Sequence, residues 1–211
     1  MGNFMTRLII YIIATVFIYS CNSYDKKDFD FNSNDLRPLS SFKQGDTIYY
    51  QSTTGALDTI LIYKIDSIQD RNSGGIMAKP AENYLFVAIK HLPNETAWTG
   101  TTQDGTSGKS EINYQYIITV DKIPQMKEMN YSIHFKDFYT SAGGDNTIGK
   151  FRTDTVNING KNITNFYEIN HGYPERVTEP TNIELVYWTD KDGLVAYKNK
   201  RGDWWTKKSS P

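Results

Sequence analysis

The sequence predicts an all-β protein, a single antiparallel sandwich or half-open barrel of about ten strands. Three observations point there. Aromatic residues are abundant (15 Tyr, 10 Phe, 4 Trp), and with many Ile and Thr they suit a pleated surface. Turn residues punctuate the chain at short intervals, and no long stretch shows helical spacing. The cleanest periodicity is two: Ile112, Tyr114, Tyr116, Ile118 and Val120 share one face, while Asn113, Gln115, Thr119 and Asp121 lie on the other with Ile117. That alternation describes a half-buried strand.

Thr47–Gln51 and Leu57–Ile68 flank Ser52-Thr-Thr-Gly55-Ala56 and form a hairpin with a short glycine-containing loop. The second run carries isoleucines on both faces, as a central or bent strand would. Tyr84–Lys90 is nearly unbroken apolar sequence, the pattern of a strand covered on both sides. Asn94–Ser110 is a long polar loop, of a length that is often functional or disordered. Lys122–Met129 can form one short helical turn, with Pro124 near its start. Tyr131–Tyr139 alternates as one strand. Thr153–Ile158, Asn159-Gly160 and Lys161–Ile169 make a strong hairpin signal, because Asn-Gly supplies the positive φ angles of a type I′ turn. Asn182–Thr189, Leu194–Asn199 and Asp203–Thr206 close the fold, separated by Asp192-Gly193 and Gly202.

The chain starts differently. Arg7 is the sole charge in residues 1–20, and an apolar run from Leu8 ends in Ser20-Cys21. A basic start, a short apolar core and a small residue before the cut make a secretory signal. The run has 13 residues from Leu8 to Ser20, against the roughly 17–25 that a spanning helix needs. Ile18-Tyr19-Ser20-Cys21 resembles the lipobox of bacterial lipoproteins, in which the peptide bond before the cysteine is cut and the cysteine is lipidated. Cys21 is the only cysteine, which leaves no thiol for a disulfide, a cysteine-based zinc site or a cysteine nucleophile. The expected organisation is a signal helix over 1–20, lipidated Cys21 with a flexible tether to 45, and one β-rich domain over 46–208. The tether reading rests on the polar, acid-rich stretch from Asp25 to Asp35, which lacks apolar spacing.

Formal net charge is −1, or −2 once Arg7 leaves with the leader. That balance argues against nucleic acid or an anionic surface as the main partner. No catalytic, cofactor or metal pattern emerges. Gly105-Thr-Ser-Gly108-Lys109-Ser110 lacks the first glycine of a phosphate loop, with Gln103 in its place, and precedes a strand instead of a helix. His91, His134 and His171 are scattered, with His134 expected on a solvated face beside Ser132 and Lys136. Asp190-Lys-Asp192-Gly193 is followed by Leu194, Ala196 and Lys198 where calcium ligands would be needed, so it reads as a turn. Trp98, Trp204 and Trp205 are the candidate ligand-contact aromatics, able to offer flat faces to sugars or else to pack in the core.

The C-terminal part resembles the ending of small Bacteroidota-type envelope lipoproteins. The likeness is carried by Val156-Asn-Ile-Asn-Gly160-Lys-Asn-Ile-Thr-Asn-Phe166-Tyr, Tyr187-Trp188, Gly193-Leu-Val-Ala-Tyr197 and Gly202-Asp-Trp204, together with the leader. The resemblance implies a curved antiparallel sheet on a lipid tether and carries over no catalytic residue. Asp46-Thr-Ile, Asp58-Thr-Ile, Asp66-Ser-Ile and Asp154-Thr-Val also resemble the O-glycosylation acceptors of such exported proteins. The expectation is an exported protein, anchored by lipid on Cys21 to the envelope at the outer membrane. There a non-catalytic β domain would bind an envelope protein or glycan. The alternatives are a small envelope hydrolase or glycan-processing enzyme, and a half-barrel that carries lipid.

Overall fold

The computed structural model describes residues 31–33, 35–70, 82–92, 115–122, 129–142 and 148–209. Cys21, Trp98, the Gly105–Ser110 loop and the helical turn expected after Lys122 lie outside them. Thirteen strands form among the described residues: β1 Thr47–Ser52, β2 Leu57–Asp70, β3 Glu82–Leu92, β4 Gln115–Lys122, β5 Met129–Phe135, β6 Phe138–Ala142, β7 Lys150–Arg152, β8 Val156–Ile158, β9 Lys161–Ile163, β10 Phe166–Asn170, β11 Ile183–Thr189, β12 Gly193–Asn199 and β13 Trp204–Lys208. Eleven of them make one sheet, ordered β6-β5-β4-β3-β2-β1-β13-β12-β11-β10-β7, with every pair antiparallel. Strands β8 and β9 pair separately. Of the two architectures expected, the half-open barrel is the one adopted.

Bulges curl the sheet, since an extra residue bends a strand and tightens its twist. The pairing of β2 with β3 shifts between Ile62 and Lys64. Tyr63 is therefore extra, and the side-chain phase flips: Ile60 and Ile62 before it and Ile65 after it all join the same core. This is why the sequence shows isoleucines in both phases. A second bulge corrects the alternation expected for β4. The register jumps from Val87↔Ile118 to Ala88↔Tyr116, so Ile117 joins Ile118 and Val120 in the core. Tyr116 instead packs on Phe86 at 4.6 Å between ring centroids.

The concave face holds the main core. Tyr50, Phe135 and Tyr197, from β1, β5 and β12, are fully or almost fully buried. They meet across the hollow at 5.1–6.0 Å between centroids. A smaller core on the other face packs Ile158 and Ile163 of the β8–β9 hairpin with Phe166, Tyr187, Val195 and Ala196. Asn159 and Gly160 have φ of +54° and +76°, the mirror-image turn expected of Asn-Gly.

The connection from β10 to β11 bonds with the β5–β6 hairpin. Gly172 N–H donates to the Tyr139 carbonyl at 2.7 Å, and Ile183 N–H donates to Asp137 Oδ2 at 2.9 Å. His171 is buried. It accepts from Tyr173 N–H at 2.9 Å on Nδ1, which leaves Nε2–H to donate to the Asp137 carbonyl at 3.0 Å.

Four further expectations are corrected. The packed chain begins well before residue 46. Leu39 and Phe42 lie in the main core, with Phe31 packed against it. Asp35, read as part of a solvated tether, is buried and sits 3.3 Å from the Lys122 ammonium. A 3-10 turn at Arg37–Leu39 organises this entry. Tyr131–Tyr139 is two strands, split at Lys136-Asp137, and Lys161–Ile169 is two strands, split near Asn165. His134 is half-buried rather than solvated. It meets Tyr139 edge-on at 5.9 Å, and burial, followed by the charge of His171, pushes its pKa down.

Candidate functional site

Strand pairing gathers one polar cluster at the end of the half-barrel where the β1–β2 and β5–β6 turns lie. Asp58 is the second residue of β2 and stands in phase with Ile60 and Ile62, so the pleat turns its carboxylate inward. It pairs across from Tyr50, while His91 pairs across from Ile60. Lys136 sits in the β5–β6 turn, and Tyr197 comes from β12.

These side chains converge on the Asp58 carboxylate, which is 7 % exposed. Tyr197 O–H donates to Oδ2 at 2.8 Å. The Lys136 ammonium lies 3.0 Å from the same oxygen. His91 Nδ1 approaches Oδ1 at 3.4 Å, a long contact. Burial alone would push the Asp58 pKa up. The His91 hydrogen bond, the Lys136 charge and the Tyr197 hydroxyl outweigh it and hold the carboxyl at about 2, against an ordinary 3.8. Nearby, Tyr50 O–H donates to the Leu194 carbonyl at 2.9 Å. Burial, with the Asp58 charge in support, pushes the Tyr50 phenol well above its ordinary value.

Lys136 is held in place at a cost. Its φ is +54°, a left-handed conformation that disfavours a residue with a Cβ by about 1–2 kcal/mol. The Gln115 side chain clamps this turn, donating from Nε2 to the Lys136 carbonyl at 2.7 Å and accepting its N–H at 2.8 Å. The bulge at Ile117 is what turns Gln115 to the core side, opposite Ile89. Replacing Gln115 with Ala is expected to cost about 1–3 kcal/mol in urea unfolding, because two backbone groups of a strained turn lose their partners.

Trp205 and Trp204 stand on opposite faces. Trp205 stacks on Tyr197 at 5.6 Å and 9° and lies 5.8 Å from the Lys136 ammonium. Trp204 packs on Tyr187 at 5.0 Å with the second core. Both are half-buried, so the pair makes no joint platform. The cluster itself was not read from the sequence, although one signal was there: an aspartate in phase with two core isoleucines.

Chemically, the cluster is an ionised carboxylate whose oxygens are engaged by a phenol, an ammonium and an imidazole. His91 Nε2 is buried with no hydrogen-bond partner among the described residues. The Asp58–His91 pair has the order of a carboxylate orienting a base, but no hydroxyl of the described residues bonds to the open nitrogen. Among the described residues no group of three His, Cys, Asp or Glu could hold a metal ion. Set against known proteins, the chain matches no family model, no curated protein and no solved structure.

Proposed function

We propose that this chain is a lipid-anchored protein of the bacterial cell envelope, held at the outer membrane through Cys21, whose β domain binds a ligand or partner without transforming it. The observation that carries the non-catalytic reading is the state of Asp58. The most chemically capable cluster among the described residues has its charge neutralised from within and ties β2, β3, β12 and the β5–β6 turn together. Such a carboxylate holds a scaffold: its charge is met by Lys136 and its Oδ2 by the Tyr197 hydroxyl, and the one open position of the cluster, His91 Nε2, is buried. The anchor reading rests on the leader and on the position of the only cysteine. Two acyl chains hold a protein durably where one does so only marginally.

Cells expressing the full chain and fed a clickable fatty acid are expected to label the protein and retain it in the membrane fraction. The Cys21→Ser form should lose both properties. An unlabelled wild-type chain with its leader still attached would overturn the anchor. The His91–Asp58 pair favours a second reading, a small hydrolase. Turnover of an ester or glycoside by the purified chain, abolished by His91→Ala, would establish it in place of binding. The third reading, a lipid in the hollow, gains no support from a concave face filled by Tyr50, Phe135 and Tyr197.

A further inference from the structure

A groove of about 480 Å3 lies where the β8–β9 hairpin crosses the ends of β1 and β13. This is within the range of roughly 300–1,000 Å3 typical of small-ligand sites. Three lysines line it, Lys161, Lys207 and Lys208, with hydroxyls and amides that include Ser52, Asn159 and Ser209. Among the described residues the lining contains no carboxylate and no aromatic ring. Folding assembles this charge: Lys161 is 46 residues from Lys207 in sequence, yet its ammonium donates to the Lys207 carbonyl at 3.0 Å. The Lys207 ammonium donates to the Asp192 carbonyl at 2.7 Å. An ammonium has three donors, so these bonds leave capacity on both. Among the described residues no carboxylate stands within salt-bridge distance of Lys161, Lys207 or Lys208.

We propose that this groove binds the phosphate group of a small phosphorylated polyol or sugar, with Lys161 and Lys208 as its principal charge contacts. The chemistry selects the class by elimination. A polar lining gives no home to an acyl chain. Without an aromatic face a neutral sugar has nothing to stack on. Planar carboxylates are best matched by arginine forks, and no arginine lines the groove, whereas lysine meets a tetrahedral oxyanion as a compact charge. The pKa directions agree. Burial pushes both Lys161 and Lys207 down, and the charge of Lys161 adds to the effect on Lys207, while Asp192 near both and Asp46 near Lys207 pull the other way. A bound anion would relieve that penalty. The inference deepens the binding reading of the domain and does not depend on the anchor.

The test is titration calorimetry of the full chain in detergent at low salt, with inorganic phosphate and glycerol 3-phosphate as probes. Co-sedimentation with phosphatidylcholine vesicles, with and without phosphatidylglycerol, distinguishes a free phosphoester from a lipid headgroup. The expected result is saturable binding of glycerol 3-phosphate, weakened roughly tenfold or more by Lys161→Gln with Lys208→Gln. The control Lys150→Gln, on exposed β7, should leave it unchanged. If the phosphatidylglycerol-dependent fraction also falls in the double variant, the source is a headgroup; if only the soluble probe responds, it is a free phosphoester. Absence of saturable binding to either soluble probe, or binding indifferent to the double variant, overturns the proposal. Hydrolysis of a phosphoester by the chain would instead overturn the non-catalytic reading, so the two failures are separable.

Discussion

Asp58→Asn is expected to lower the unfolding free energy by about 3–5 kcal/mol at neutral pH, the range for breaking a buried charge pair by removing one partner. The carboxylate engages three side chains at once. An amide keeps the shape but presents an N–H₂ where either Lys136 or His91 requires an acceptor. Lys136 is partly exposed, with 26 % of its side chain accessible. It can therefore turn to water, which places the loss toward the lower end. The pH dependence has a definite sign. The folded pKa of about 2 lies below the ordinary 3.8, so ionised Asp58 stabilises the fold above about pH 4. That contribution, about 2 kcal/mol, is lost as pH falls from about 4 to 2. Thermal melts across this window should show wild type losing more stability than Asp58→Asn. Urea unfolding within about 1 kcal/mol of wild type, with no difference in acid sensitivity, would reduce the cluster to a surface ion pair.

The elements that the sequence announces are those whose signal is local. Thr47–Gln51, the Asn159-Gly160 turn and the Asp192-Gly193 turn all form, because period-two burial and positive φ at Asn and Gly are decided within a few residues. What stayed hidden depends on distant partners. The break at Lys136 carries no glycine to mark it; its φ is sustained by Gln115, across the sheet. The inward turn of Ile117 follows from a bulge set by pairing with β3. Asp35 looked solvated because its neutralising charge, Lys122, lies on β4. Asp58 belongs to an acceptor-like triplet, and its phase with Ile60 and Ile62 is the one local sign that a charge lies on the apolar face. The lysine groove had half a signal, the basic end of β13, but Lys161 comes from a hairpin that pairs with no other strand among the described residues.

Phe135→Ala is expected to match the Asp58 effect from the apolar side, at about 3–5 kcal/mol. Phe135 is fully buried, and its ring lies 6.0 Å from Tyr50, 5.1 Å from Tyr197 and 5.5 Å from His91. Those neighbours come from three other strands, so no single element can relax into the cavity, and incomplete collapse gives the high end of the range. Phe135→Leu should cost about 1–3 kcal/mol, because much of the volume is retained. The two sites share neighbours: His91 and Tyr197 pack on Phe135 and also bond Asp58. Once the ring is gone, water reaches the carboxylate, and its hydrogen bonds count for less. The double variant should therefore fall short of the summed single losses by about 1 kcal/mol or more, the scale of coupling between residues in one network. Strict additivity in urea unfolding would mean that the aromatic packing and the charge cluster hold the half-barrel independently. In that case Asp58 would be stabilised by its partners alone, independently of the aromatic packing around Phe135.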